Sequence, residues 1–141
     1  MEGTPYWGVL PGRDEIIRLL KAEVPGLVAV YVFGSRARGD QHAASDLDLA
    51  ALAARPLEPV RRWELQEKLA GSVHMPVDLV DLRAASTVMR ARVFESAELL
   101  WESDRTARQA FEAVALGAYA RLNEERRGIL DDVRQRGSVH G

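Results

Sequence analysis

Three aspartates of the sequence are placed where carboxylates could share divalent cations. Asp46 and Asp48 flank Leu47 at the start of an apolar run, and Asp78 lies within another apolar run. Because side chains alternate across a strand, Asp46 and Asp48 are predicted to project from one face, with Cα atoms roughly 6.5 to 7 Å apart. Carboxylates at that spacing can converge on two cations about 3.5 to 4 Å apart. Asp46, Asp48 and Asp78 are therefore the candidate metal ligands.

A strand with one solvated face would give the same alternation of aspartate and leucine without any metal. Asp78 argues against that alternative, because Val77, Leu79 and Val80 predict a buried strand. An unpaired carboxylate there would be costly, and a cation would compensate its charge. Asp81 is expected to point to the opposite face and to serve in a turn or a helix cap.

A candidate phosphate-binding turn precedes the first two aspartates. Gly34 and Ser35 end an apolar run, and such a turn can present backbone N–H groups and a hydroxyl to a triphosphate. Arg36 and Arg38 follow, and guanidinium groups match phosphate oxygens. An ordinary strand-to-helix turn with solvated arginines would have the same composition. Gly39 is not followed by Lys and Ser or Thr, so this is no Walker A loop, and the Rossmann glycine pattern is absent as well.

The elements that must position these residues alternate between strands and helices. Short runs of predominantly apolar residues predict three strands, at 27–33, 47–52 and 77–82. Helical spacing of apolar residues predicts three amphipathic helices, at 12–24, 56–73 and 84–96. The polar stretch 35–45 is predicted to be a loop, and Leu99–Trp101 a short edge strand.

The C-terminal region from Asp104 to about Arg136 contains no proline and is predicted to be one long amphipathic helix. Breaks are allowed near Gly117 or Gly128, and Gly137 is the expected C-terminal stop. The apolar stripe of this helix either packs on its own domain or forms part of a partner-facing surface. That surface would include part of Tyr119, Leu122 or Ile129.

Composition narrows the class of protein. The chain has 141 residues, 47% apolar and 28% charged, which is typical of one globular domain. We expect this domain to span 1–141, with a core at about 12–101 and a helical extension at about 104–137. The absence of cysteine excludes disulfides, thiolate metal sites and thiol nucleophiles. A formal net charge of -2 gives no general attraction to nucleic acid. Neither a membrane span nor a signal peptide is recognisable, so we expect a cytoplasmic location without membrane contact.

The motifs together carry a family resemblance. Gly34-Ser35, ten intervening residues and Asp46-Leu47-Asp48, with a later strand aspartate, resemble the polymerase β-like nucleotidyltransferase superfamily in its minimal form. This resemblance implies an α/β fold with a mixed sheet flanked by helices and a long C-terminal helix. Within the superfamily, the chain looks like the MntA-type antitoxins of HEPN/MNT toxin–antitoxin pairs. The stretches that look similar to that group are 62–66, 77–83 and 122–128.

The resemblance implies a function and a role for each motif residue. Asp46 and Asp48 would coordinate two Mg²⁺ ions, and Asp78 would complete the site beside the acceptor hydroxyl. Gly34 and Ser35 would hold the β- and γ-phosphates of ATP, and no protein nucleophile is required. The expected reaction transfers AMP from ATP to a tyrosine of a HEPN ribonuclease toxin, held as a hetero-oligomer. Two alternatives stay open: a transferase acting on a small molecule such as an aminoglycoside, and an antitoxin that acts by binding alone.

Overall fold

The computed structural model describes residues 12–34, 37 and 46–140. Its elements in chain order are α1 (Arg13–Glu23), β1 (Leu27–Phe33), β2 (Leu47–Ala53), α2 (Pro59–Val73), β3 (Val77–Asp81), α3 (Thr87–Ser96), β4 (Glu98–Glu102) and α4 (Arg105–His140). All four predicted strands are present. The four predicted helices are present as well, with small shifts at their ends.

The helix boundaries follow from capping groups. The Glu58 side chain accepts hydrogen bonds from two backbone N–H groups of the first turn of α2, so that helix begins at Pro59 and not at residue 56. Ser86 caps α3 in the same way, and this helix begins at Thr87. The prediction that Gly137 ends the last helix is wrong, because α4 continues to His140. A glycine inside a helix costs only about 1 kcal/mol, which does not force an end.

The four strands form one mixed sheet in the order β3-β2-β1-β4. Strand β1 pairs antiparallel with both β2 and β4, whereas β3 is parallel to β2. All seven residues of β1 are buried, as predicted from its continuous apolar run. The predicted edge strand at 99–101 is confirmed, because β4 forms one edge of the sheet.

Helices cover both faces of the sheet, and each face has its own core. One core contains Leu47 and Leu49 of β2 with residues of α1 and α2. The other contains Ala50 and Leu52 of β2 with residues of α3 and α4, and we call this side the α3/α4 face. Since side chains alternate along a strand, Asp48 lies on the α3/α4 face.

The first turns of α4 pack on the sheet. Phe111 and Ala115 are buried in the core of the α3/α4 face. Further along the helix, Ile129, Leu130 and Val133 are 64%, 54% and 58% exposed. The sequence left open whether this helix packs on its own domain or faces a partner. Its first turns pack on the domain, whereas residues 129–133 do not. Within the described ranges, no helix combines the length and the apolar character that crossing a bilayer requires.

The turn after β3 is organised by Asp81, the buried acidic residue of this segment. Its carboxylate accepts hydrogen bonds from the backbone N–H of Leu57 at 2.7 Å and from that of Arg83 at 3.1 Å. The predicted turn role of Asp81 is confirmed. The side chain joins two loops at the end of the sheet where β2 and β3 finish.

Asp81→Ala is expected to lower the free energy of unfolding by about 2 to 3 kcal/mol, because two backbone N–H groups lose their acceptor. Urea denaturation measures the loss. Asp104→Ala is the matched control: Asp104 is exposed and accepts one hydrogen bond, from the N–H of Ala107. That variant should lose about 1 kcal/mol. Equal losses in the two variants would contradict the role given to Asp81.

Candidate functional site

The site begins where β1 ends at a glycine turn. Gly34 follows Phe33 with φ 74°, in the left-handed region that favours glycine. A Cβ at this position would overlap Oδ2 of Asp48 and would lie 3.2 Å from its Cγ. The Asp48 carboxylate therefore lies directly against the backbone of the turn, in the space that a side chain at position 34 would fill. This brings together the predicted phosphate-binding turn and the predicted metal ligand.

Asp78 lies beside Asp48 on the neighbouring strand. The two are register partners in the parallel pair β2–β3, and neighbouring strands are about 4.8 Å apart. Both lie on the α3/α4 face, since Val77 and Leu79 contribute to the opposite core. Two carboxylates so close repel each other unless a cation or a proton lies between them.

The expectation that Asp78 is buried is wrong. Strand β3 is an edge strand, and Asp78 is exposed although Val77 and Leu79 on either side of it are buried. A cation is not needed to compensate burial of this carboxylate. What supports Asp78 as a ligand is its position in register with Asp48, and not the cost of desolvation.

Asp46 lies immediately before β2, which begins at Leu47 as predicted. The N–H of Leu47 donates to the carbonyl of Pro76 at 2.9 Å, and this bond starts the pairing of β2 with β3. Asp46 is exposed. Asp46 therefore lies at the same end of the sheet as Asp48 and Asp78, which is the end where the Gly34 turn follows β1.

The donor set fits Mg²⁺ in its chemistry, because carboxylate oxygens are the protein ligands this cation prefers. Asp48 also fits in its placement against the glycine turn. In the part of the chain that the structure describes, no three acidic or histidine side chains are close enough to form a metal centre. Metal ligation by Asp46, Asp48 and Asp78 thus stays a prediction. Ser35, Arg36 and Arg38 lie outside the described residues, and their roles also stay predictions.

Ser96 is a site residue that the sequence did not indicate. At the end of α3, its hydroxyl oxygen accepts a hydrogen bond from the N–H of Gly34 at 2.9 Å. The two residues are 62 positions apart in the chain, and only the packing of α3 beside β1 brings them together. Ser96 thus holds the glycine turn against which the Asp48 carboxylate lies.

Ser96→Ala is expected to raise the KM for the triphosphate that the turn is predicted to bind about five- to tenfold, because the turn loses about 1 kcal/mol of hydrogen bonding that fixes its shape. Steady-state kinetics measures KM and kcat separately. Ser96→Thr keeps an acceptor and should restore KM. Ser103→Ala is the matched control, since the hydroxyl of Ser103 donates to the carbonyl of Leu27 at 2.7 Å at the far end of β1. A similar KM change in both alanine variants would show a general loss of stability.

A polar network links β1 to α4 on the same face. The Tyr31 hydroxyl donates to Oε1 of Glu112 at 2.6 Å, and Arg108 donates to the same oxygen at 2.9 Å. Arg108 also pairs with Glu102. Burial, reinforced by the bond to Glu112, raises the pKa of Tyr31, so its hydroxyl stays protonated and remains a donor. Sequence reasoning did not predict this network, because Tyr31 and Glu112 lie 81 positions apart.

Known proteins with similar sequences and structures are nucleotidyltransferases and toxin-antitoxin complexes. A family model described as polymerase beta, nucleotidyltransferase matches residues 14–106. The protein adenylyltransferase MntA of Shewanella oneidensis is 42% identical over 121 residues, which are 86% of each chain. A solved structure of a toxin-antitoxin with AMP-PNP has a TM-score of 0.78 at 42% identity, over 86% of this chain and 98% of that chain. A structure of a tri-AMPylated Shewanella oneidensis HEPN toxin in complex with its MNT antitoxin has a TM-score of 0.73 at 38% identity, over 87% of this chain and 96% of that chain.

Proposed function

Because this chain belongs to the polymerase β nucleotidyltransferase family, we propose that it is the protein adenylyltransferase antitoxin of a toxin–antitoxin pair. It transfers AMP from ATP to a tyrosine hydroxyl of a cognate HEPN ribonuclease toxin and so neutralises the toxin. The observation that carries the proposal is the Asp48 carboxylate lying against the Gly34 turn, with Asp78 in register beside it. The proposal also implies a cytoplasmic location, where ATP is available.

Each motif residue has a part in this reaction. The turn at Gly34 and Ser35 holds the β- and γ-phosphates, and Arg36 and Arg38 contribute positive charge to them. Asp46, Asp48 and Asp78 hold two Mg²⁺ ions. When bound, these ions neutralise the charge of the leaving pyrophosphate and lower the pKa of the acceptor hydroxyl. Since the chain then needs only to bind and orient its two substrates, no covalent intermediate with the protein is required.

The exposed edge of the sheet suits an acceptor that belongs to another protein. Asp78 lies on edge strand β3 and is exposed, so a tyrosine on a partner surface can approach it from solvent. The far part of α4 carries Ile129, Leu130 and Val133, each more than half exposed. An apolar helix surface of this kind is typical of contact with another protein. These features favour a protein acceptor held in a hetero-oligomer over a small-molecule acceptor.

The test is to incubate the chain with its HEPN partner, Mg²⁺ and ATP labelled at the α-phosphate, and to locate the label by mass spectrometry. We expect AMP on a partner tyrosine and loss of ribonuclease activity in proportion to the label. A reaction without Mg²⁺ and a reaction without the chain are the controls. Neutralisation that survives Asp46→Ala and Asp48→Ala without any label would overturn the proposal in favour of an antitoxin that acts by binding alone. Label on an added aminoglycoside and not on the partner would also overturn it.

A further inference from the structure

A cavity of about 270 Å³ lies between the sheet and helices α3 and α4. We call it the Tyr31 cavity. Its apolar walls include Phe94, Leu99 and Leu116, and its polar groups belong to Tyr31, Arg108 and Glu112. Apolar walls with a few convergent polar groups are typical of a small-molecule site.

The cavity is close to the glycine turn of the site. Ala97 lines the cavity and follows Ser96, whose hydroxyl oxygen is 2.9 Å from the backbone nitrogen of Gly34. Tyr31 lies three residues before Gly34 on β1, which corresponds to roughly 10 Å along the strand. A nucleotide whose terminal phosphates lie at the turn can therefore extend its base toward this cavity.

Among the described residues, the polar groups of the cavity leave one acceptor of Glu112 without a donor. Oε1 of Glu112 already receives hydrogen bonds from Tyr31 and Arg108. No described residue donates to Oε2 of Glu112, and this side chain is 26% exposed. Arg108 and Tyr31 fix the position of the carboxylate, so the open oxygen is held in place before any ligand arrives.

We propose that the Tyr31 cavity binds the nucleobase of the donor nucleotide, with the exocyclic amino group of adenine donating to Oε2 of Glu112. The apolar walls at Phe94 and Leu116 lie against the planar ring, in the manner of sites that read bases by stacking and edge hydrogen bonds. This inference rests on the proposed function, in which ATP is the donor. Uracil has no exocyclic amino group, and its N3–H donor lies between two carbonyl oxygens that would be held unfavourably close to the carboxylate.

The test compares the affinities of ATP, UTP and inorganic tripolyphosphate in the presence of Mg²⁺ by calorimetry. The wild-type chain should bind ATP at least about tenfold more tightly than UTP. Glu112→Gln removes the negative charge and can place an amide NH2 donor where the open Oε2 acceptor was. Ala97→Leu fills the cavity. Both should weaken ATP binding about tenfold or more, while tripolyphosphate binding stays within about twofold. Ala91→Leu is the matched control, because Ala91 lines a neighbouring groove that shares Phe94 and Leu116 with the Tyr31 cavity but contains none of its polar groups; it should change neither affinity.

Three results would overturn the cavity proposal. In the first, the wild-type chain binds ATP and UTP with equal affinity. In the second, Glu112→Gln and Ala97→Leu leave ATP affinity unchanged. In the third, they weaken tripolyphosphate as much as ATP, which would mean that they disturb the phosphate site or the fold. These results leave the proposed function intact as long as wild-type chain binds ATP and labels its partner. Wild-type chain that binds neither ATP nor tripolyphosphate would overturn both proposals.

Discussion

Asp48→Asn is expected to slow AMP transfer at least about a thousandfold, which corresponds to roughly 4 kcal/mol of transition-state stabilisation. The amide keeps the size of the carboxylate but loses the charge that holds cations at the glycine turn. Because Asp48 and Asp78 are like charges in register, neutralising one also removes the repulsion between them. Initial rates of partner labelling measure the transfer, and urea denaturation measures the stability.

Thermal unfolding separates the loss of cation binding from other causes. Mg²⁺ with ATP should raise the melting temperature of wild-type chain, since a ligand that binds only the folded state stabilises it. The Asp48→Asn variant should show little of this rise. Asp14→Asn removes the same charge from α1, where the side chain is 99% exposed, and should match wild-type in rate and in the rise. An Asp48→Asn variant that keeps more than about a tenth of the wild-type rate would rule out Asp48 as a metal ligand.

The sequence predicted the elements well because their signals are local. An uninterrupted apolar run predicts β1 regardless of what surrounds it, and the observed strand Leu27–Phe33 has the predicted bounds. The starts of α2 and α3 were each predicted three residues too early, because Glu58 and Ser86 act as caps. A cap is visible in the sequence but competes with other polar residues nearby. Boundaries are therefore less predictable than the elements themselves.

Contacts between segments that are distant in the chain could not be predicted from local sequence patterns. The pattern Val77-Asp78-Leu79 indicates a strand, but whether Asp78 is buried depends on where that strand lies in the sheet. Strand β3 is at an edge, so the residue that seemed to need a cation for burial is exposed. Ser96 likewise carries no motif, and its bond to Gly34 depends on how α3 crosses the sheet. The aspartates and the glycine were predictable by type and spacing, whereas the residues that support them were not.

Gly34→Ala is expected to reduce AMP transfer at least about a hundredfold. The added Cβ would overlap Oδ2 of Asp48, so the carboxylate must leave its place against the turn. The backbone also has φ 74°, a conformation that costs an alanine about 1 to 2 kcal/mol. We expect both a lower free energy of unfolding and a loss of activity, measured by urea denaturation and by labelling of the partner.

Gly26→Ala separates these two effects, because Gly26 shares the backbone conformation but not the neighbour. Its φ is 67°, and a Cβ there would lie 3.0 Å from Cβ of Ala54 at the other end of β1. This variant should lose a similar amount of stability and retain its rate of transfer. If the two glycine variants lost activity in proportion to their stability, backbone strain alone would explain the result. Loss of activity confined to Gly34→Ala would instead mean that the transfer depends on the position of the Asp48 carboxylate against the turn.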